Sequence, residues 1–260
     1  MEPIVKIQVH GHTATVTLNR PHKRNALSRE LIKELRQALE DLFQERRVRG
    51  VILTGSGSSF CAGMDLMEML ATADQHDRLE QWHSDSAIYL DLIESMLRFP
   101  KPLVAAVNGA AVAGGAGLVM ACDIVVASGD ATFGFPEPRR GVVAGMVAPL
   151  LAFRIGGARA AYLLLTARVI DAFEAHRYGL FHELVAGDKI WARANELVSE
   201  VAASAPDALQ MTKRLLNETV GESLLEQLAA GAAVSATSRT TEAAGEGLKA
   251  FLEKRSPEWW

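Results

Sequence analysis

Three short stretches of the sequence carry residue types that can do chemistry. The first is "CAGMD", residues 61–65, and the second is "NGAAVAGGAG", residues 108–117. Each follows an apolar run and precedes an apolar helical pattern, so each stands at a helix start. A helix start leaves N–H groups free, and Ser, Thr, Asp or Asn ordinarily satisfies them. At Gly114-Gly115-Ala116-Gly117 no side chain can do so. Bare amides with a helix dipole behind them make an anion site. Two such segments converging form an oxyanion hole, which stabilises charge developing on a carbonyl oxygen. Loss of one donor from such a hole costs roughly 3–4 kcal/mol. Close helix packing would also account for the glycines. "GAGLVM" reads as half of a dinucleotide-binding G-x-G-x-x-G, but Met120 stands where the third glycine belongs.

The third stretch is "FGFPEPRRG", residues 133–141. Glu137 sits between two prolines and follows Phe133 and Phe135. A carboxylate held against aromatic walls is disfavoured as an anion, so its pKa is expected to rise toward the general acid/base range. The alternative is a surface glutamate paired with Arg139 or Arg140. The sequence contains no H-E-x-x-H, G-x-S-x-G or P-loop pattern. Its seven histidines are scattered, and no metal site is expected.

The elements that must position these stretches follow from periodicity. "VKIQV" and "ATVTL" alternate apolar and polar residues on either side of His10-Gly11-His12-Thr13, which predicts a hairpin. Ser28 is a plausible N-cap for a helix whose stripe is Leu31, Leu35, Ala38 and Leu42. "GVILTG", "PLVAAV" and "CDIVVAS" read as buried strands, with a loop over 56–65, helices at Leu66 and 78–98, and a helix over the glycine segment. From about residue 156 the chain reads as mainly helical, including 171–180, 206–220 and 221–254. The recurring strand–turn–helix unit implies a mixed α/β core.

Composition sets further bounds. The chain has 260 residues, 49% of them apolar, which is enough for a sizeable core. A net charge of −4 argues against nucleic acid as a partner. Cys61 and Cys122 lack metal or redox spacing and read as buried, inert thiols. "MEPIVKIQVHG" lacks the pattern of a secretory signal. The apolar run 102–127 is rich in Ala and Gly and interrupted by Asn108 and Asp123, which favours a core segment over a membrane span. A cytoplasmic protein is expected.

Taken together, "NRPHKRNAL", "FCAGMDL", "KPLVAAVNGAAVAGGAGLVMACDIVVAS", "ATFGFPEPRRG" and "GLKAFLEKRSPEW" resemble the crotonase (enoyl-CoA hydratase/isomerase) superfamily, in order and over nearly the whole chain. The resemblance implies an α/β fold, a crotonase-like (ClpP/crotonase) spiral of β-β-α units over residues 1–200. It also implies a C-terminal helical region over 201–260 for oligomerisation and CoA capping. The implied ligand is an acyl-CoA, with coenzyme A as part of the substrate and no separate cofactor. The implied assembly is a homotrimer or a dimer of trimers.

Residue by residue, the resemblance assigns the oxyanion amides to Met64 and Gly114 and the acid/base to Glu137. Arg24, Ala26 and Leu27 match the segment lining the CoA nucleotide, and Ala62, Asp65 and Leu66 the adenine and pantetheine wall. Phe251 and Lys254 match the C-terminal helix that helps to hold CoA. One departure matters. Hydratases of the superfamily usually carry a second glutamate three residues after the second oxyanion glycine, and here that position is Gly117. Asp123 lies too far along to replace it. One carboxylate leaves hydration of an enoyl-CoA, double-bond isomerisation by a single proton shuttle, or non-catalytic acyl-CoA binding. A local similarity to a bacterial subgroup adds 3-methylglutaconyl-CoA hydration.

Overall fold

The computed structural model describes residues 2–219 and 221–259. The chain opens with a hairpin of β1 (Val5–His10) and β2 (Thr13–Leu18), followed by helix α1 (Arg29–Gln44). The hairpin loop is Gly11-His12, with Gly11 at a φ of 60°. Ser28 caps α1 by accepting from the Leu31 amide, and the helix buries the expected Leu31, Leu35, Ala38 and Leu42.

A unit then repeats. Its first turn is β3 (Gly50–Gly55), β4 (Ser59–Cys61), α2 (Leu66–Ala73) and α3 (Arg78–Arg98). The second is β5 (Leu103–Val107), β6 (Ala110–Val112) and α4 (Gly114–Ala121). The third is β7 (Ile124–Ser128), β8 (Thr132–Gly134), α5 (Val147–Ile155) and α6 (Gly157–Leu165), and β9 (Val169–Asp171), α7 (Ala172–Arg177) and β10 (Glu183–Val185) follow. The long strands assemble in the order β1-β2-β3-β5-β7-β10, and the short ones in the order β4-β6-β8-β9. Within each sheet the repeating strands are parallel neighbours, so the backbone climbs as a spiral with two sheet walls. This is the β-β-α spiral that the sequence motifs imply.

The last helices are α8 (Ile190–Ala202), α9 (Pro206–Arg214), α10 (Glu222–Ser238) and α11 (Glu242–Leu252). Helix α8 covers one face of the six-stranded sheet with Ile190, Ala194 and Val198 against Ile52, Val104, Ala106 and Val126. The alternating residues, Leu53, Ala105, Val107 and Ala127 among them, enter the main core on the other face. Burial on both faces explains why these strands are apolar throughout. Helix α10 packs on α3 and α5. Lys213 of α9 is buried and donates to Asp123 Oδ2 at 2.7 Å, which gives Asp123 a structural role.

Several expectations are corrected. The loop over 56–65 contains β4, and Ala110–Val112 forms β6. Only Ala172–Arg177 of the 171–180 segment is helical. Helix α9 stops at Arg214 and passes into a π-turn over Leu215–Thr219. The segment 221–254 is two helices, broken where Thr241 Oγ1 caps α11 by accepting from the Ala244 amide. The expected helix ending at position 220 runs there outside the described residues.

Candidate active site

The four-stranded sheet explains how distant residues meet. Strands β4, β6 and β8 are adjacent and parallel, so their C-terminal exits lie side by side, one strand spacing apart. Three residues beyond Cys61 is Met64, two beyond Val112 is Gly114, and three beyond Gly134 is Glu137. All three line one cavity of about 440 Å³.

Each exit is aimed by local backbone geometry. Leu27 donates to Gly63 O at 2.8 Å and accepts from Asp65 N at 2.9 Å. In an extended segment alternate amides point to opposite edges, so the Met64 N–H faces away from Leu27. At the second exit Ala113 holds φ 53° and ψ −126°, an unusual conformation for a residue with a Cβ. Its own amide donates to Gly134 O at 2.9 Å, which ties the β6 exit to β8. The two loops touch. A Cβ on Gly63 would stand 2.8 Å from that of Ala113, and a Cβ on Gly115 would stand 2.3 Å from Cys61 O. Among the described residues, neither the Met64 nor the Gly114 N–H donates to any protein acceptor. They are free for an oxygen of a ligand.

Glu137 opens a 3-10 turn that closes at Gly141, in the left-handed region at φ 66°. Its Oε2 is buried without a hydrogen-bond partner. Burial raises its pKa to about 7, a backbone hydrogen bond and the charge of Arg140 opposing only in part. The expected cause is corrected. Phe133 packs edge-to-face on both Phe135 and Phe181 in the core, and neither Phe133 nor Phe135 lines the cavity. Arg140 sets its guanidinium over the Phe251 ring, 4.6 Å from the centroid. No ion pair joins Glu137 to Arg139 or Arg140 among the described residues.

Gly117 has a neighbour that the sequence does not announce. A Cβ at this position would fall 2.1 Å from the hydroxyl of Tyr89, a buried residue of α3. That hydroxyl donates to Gly114 O at 2.7 Å and borders the cavity. A phenol therefore occupies the space into which a side chain at 117 would project. Its own pKa is pushed well above the usual tyrosine value, by burial first and then by the nearby Cys61 and Glu137.

The remaining expected residues divide. Arg24, Ala26, Ala62, Asp65, Leu66 and Phe251 line the cavity. Leu27 is fully buried behind it, and Lys254, at φ 53° past the end of α11, does not line it. Asp65 also caps α2 and pairs with Arg20 at 3.0 Å. Arg24 and Asn25 both have positive φ, and Asn25 Nδ2 fixes this loop by donating to Ser56 O and Ser59 O. Met67, Met69, Asp85, Tyr89 and residues 142–147 supply further wall, together with Ser235 and Arg239 of the C-terminal region. Sequence patterns missed Tyr89, Asp85, Ser235 and Arg239, because nothing in their spacing marks them as facing a cavity.

Both cysteine thiols are buried, and burial pushes each up to about 12, as expected of inert thiols. The described residues contain no group of three or more metal-ligating side chains. No helix among them is long and apolar enough to cross a membrane.

Comparisons with known proteins identify the family. The family described as enoyl-CoA hydratase/isomerase matches residues 9–260. A Thermus thermophilus protein provisionally named enoyl-CoA hydratase is 41% identical over 96% of this chain and 98% of its own. A similarly named protein of Rhizobium meliloti is 35% identical over 97% and 96%. The crystal structure of an enoyl-CoA hydratase from Mycobacterium avium superposes with a TM-score of 0.88 at 32% identity, covering both chains completely. The chain belongs to the enoyl-CoA hydratase/isomerase family of the crotonase superfamily.

Proposed function

We propose that this enzyme adds water across the double bond of an α,β-unsaturated acyl-CoA, or removes it in reverse. The observation that carries the reading is the convergence of two free amides and one buried, unpartnered carboxyl at adjacent strand exits. The Met64 and Gly114 amides hold the thioester oxygen and stabilise the negative charge that grows on it. As the water oxygen bonds to the β-carbon, the Glu137 carboxylate takes a water proton. The enolate then collapses as the carboxylic acid returns a proton to the α-carbon. A pKa of about 7 suits a group that must both take and give a proton near neutrality.

Arg24, Ala26, Ala62, Asp65, Leu66 and Phe251 are assigned to the CoA-binding wall, with Leu27 supporting it and Lys254 reaching CoA from the end of α11. Residues 1–200 act as the spiral core. Residues 201–260 cap CoA and assemble a homotrimer or a dimer of trimers in the cytoplasm. Gly117 favours a second reading. With one carboxylate, Glu137 could move a proton between the α- and γ-carbons and isomerise the double bond without water.

The test is incubation with 2-enoyl- and 3-enoyl-CoA thioesters in heavy water, read by mass spectrometry. Hydration predicts 2-enoyl products heavier by one heavy water, with turnover reduced about 1,000-fold in Glu137→Gln. Conversion of a 3-enoyl thioester to its conjugated isomer without water uptake would select the isomerase. Full activity in Glu137→Gln would remove both readings.

A further inference from the structure

Among the described residues, six buried side-chain polar atoms have no hydrogen-bond partner. Three belong to residues that line the cavity: Oε2 of Glu137, and Nε and Nη1 of Arg239. Arg239 follows the last turn of α10 and is only 6% exposed. None of its guanidinium nitrogens donates a hydrogen bond to the described residues. A buried guanidinium whose Nε and Nη1 have no hydrogen-bond acceptor is a costly feature that calls for a partner.

The nearest carboxylate, Asp85, pairs with it by charge but gives it no hydrogen bond. Asp85 Oδ2 lies 4.0 Å from Arg239 Nη1, beyond hydrogen-bonding distance. Both Asp85 oxygens are engaged elsewhere, by Arg29 Nε at 2.6 Å, Arg29 Nη2 at 2.9 Å and Gln81 Nε2 at 2.8 Å. The charged groups that act on Arg239 are Asp85 and Arg29, so one carboxylate stands between two guanidinium groups. Ser235, one turn earlier on the same face of α10, also lines the cavity and is buried. Across from it α3 presents Trp82, Asp85, Ser86 and Tyr89 on one face, and Trp82 Nε1 and Ser86 Oγ are themselves unpartnered.

We propose that Arg239 forms a carboxylate-binding subsite of the acyl pocket, so that the preferred substrates are acyl-CoA thioesters with a second, terminal carboxylate. A planar guanidinium matches a carboxylate in two parallel hydrogen bonds. An enzyme for simple fatty acyl chains has no use for a guanidinium without hydrogen-bond acceptors in its acyl wall, because a methyl terminus leaves it unsatisfied. The proposal rests on reading the cavity as an acyl-CoA site, and its test is separable from the chemistry.

The experiment is calorimetric binding of non-reacting saturated thioesters in matched pairs, glutaryl- against pentanoyl-CoA and adipyl- against hexanoyl-CoA. The dicarboxylic member of at least one pair is expected to bind about 100-fold more tightly, because a site built to hydrogen-bond a group rejects the analogue lacking it. Arg239→Met is expected to bring that ratio close to one, and Arg239→Lys to keep part of it. If Arg239→Met does not fold, the wild-type ratios decide alone. Equal binding within both pairs, or a preference for the methyl-ended thioesters, overturns the subsite and leaves Arg239 as part of the α3–α10 packing. A dicarboxylic preference without any hydration of glutaconyl-CoA would keep the subsite and dismiss the hydratase reading.

Discussion

Glu137 carries two predictions, both fixed by the direction of its pKa. It titrates at about 7 in the folded protein and near 4.5 when free. As the base that takes the water proton it must be ionised, so kcat/KM is expected to fall as pH drops below about 7. The limb should vanish from the residual activity of Glu137→Gln. Stability runs the other way. Between the two pKa values the folded state binds the proton more tightly than the unfolded state, so stability declines as pH rises through that window. Glu137→Gln, which cannot ionise, is expected to be more stable than wild type at pH 8, by roughly 2 kcal/mol. The melting temperatures of the two should converge at pH 4. A wild-type melting point that stays level with the variant across this range would mean that Glu137 is not desolvated. At this scale the sequence was informative where a residue sits in a rigid motif. Glu137 between prolines was legible as a candidate, while Met64 and Gly114 came from the family resemblance. Arg239 was not, because it falls inside the segment 221–254 that the sequence presents as helical throughout, and its burial depends on α3, which is remote in sequence.

Elements decide which of those residues meet. Strands β4, β6 and β8 are three residues each, too short to show an alternation, and they left no pattern to read. Yet their parallel adjacency is what places the two amides and the carboxylate together. The same holds for the α3–α4 contact, where Tyr89 fills the volume beside Gly117. A methyl group at 117 would overlap the Tyr89 hydroxyl but clear the ring carbon, at 3.3 Å, with only a small shift. Gly117→Ala is therefore expected to destabilise by about 2 kcal/mol through overpacking. Tyr89→Phe alone should cost about 1 kcal/mol for the lost bond to Gly114 O. Combined, the two should cost less than their sum, because removing the hydroxyl opens the space that the methyl needs. Denaturant titration of the four proteins measures the coupling, and additive losses would contradict the contact.

Apolar side chains remaining on the outside point beyond the single chain. Tyr162 and Leu165 of α6, Val169 of β9 and Phe173 of α7 are exposed, Leu165 by 84% and Phe173 by 68%. Helix α6 ends the third turn of the spiral and β9 and α7 follow it, and their inward faces are already covered: Ala160 and Leu163 of α6 and Ala172 and Ala175 of α7 fill the core. A helix that buries one stripe and exposes large apolar residues on another has a second face to cover. Periodicity alone could not reveal this, since it marks apolar positions without saying whether they meet their own chain or another copy. The proposed trimer gives these residues a partner. Sedimentation of the wild-type protein is expected to yield a trimer or hexamer, and Leu165→Glu with Phe173→Glu to shift it toward monomer. Each introduced carboxylate would be solvated in the monomer but desolvated between subunits, so the fold should survive while the assembly fails. A wild-type monomer, or an assembly indifferent to both substitutions, would assign this face no role in association.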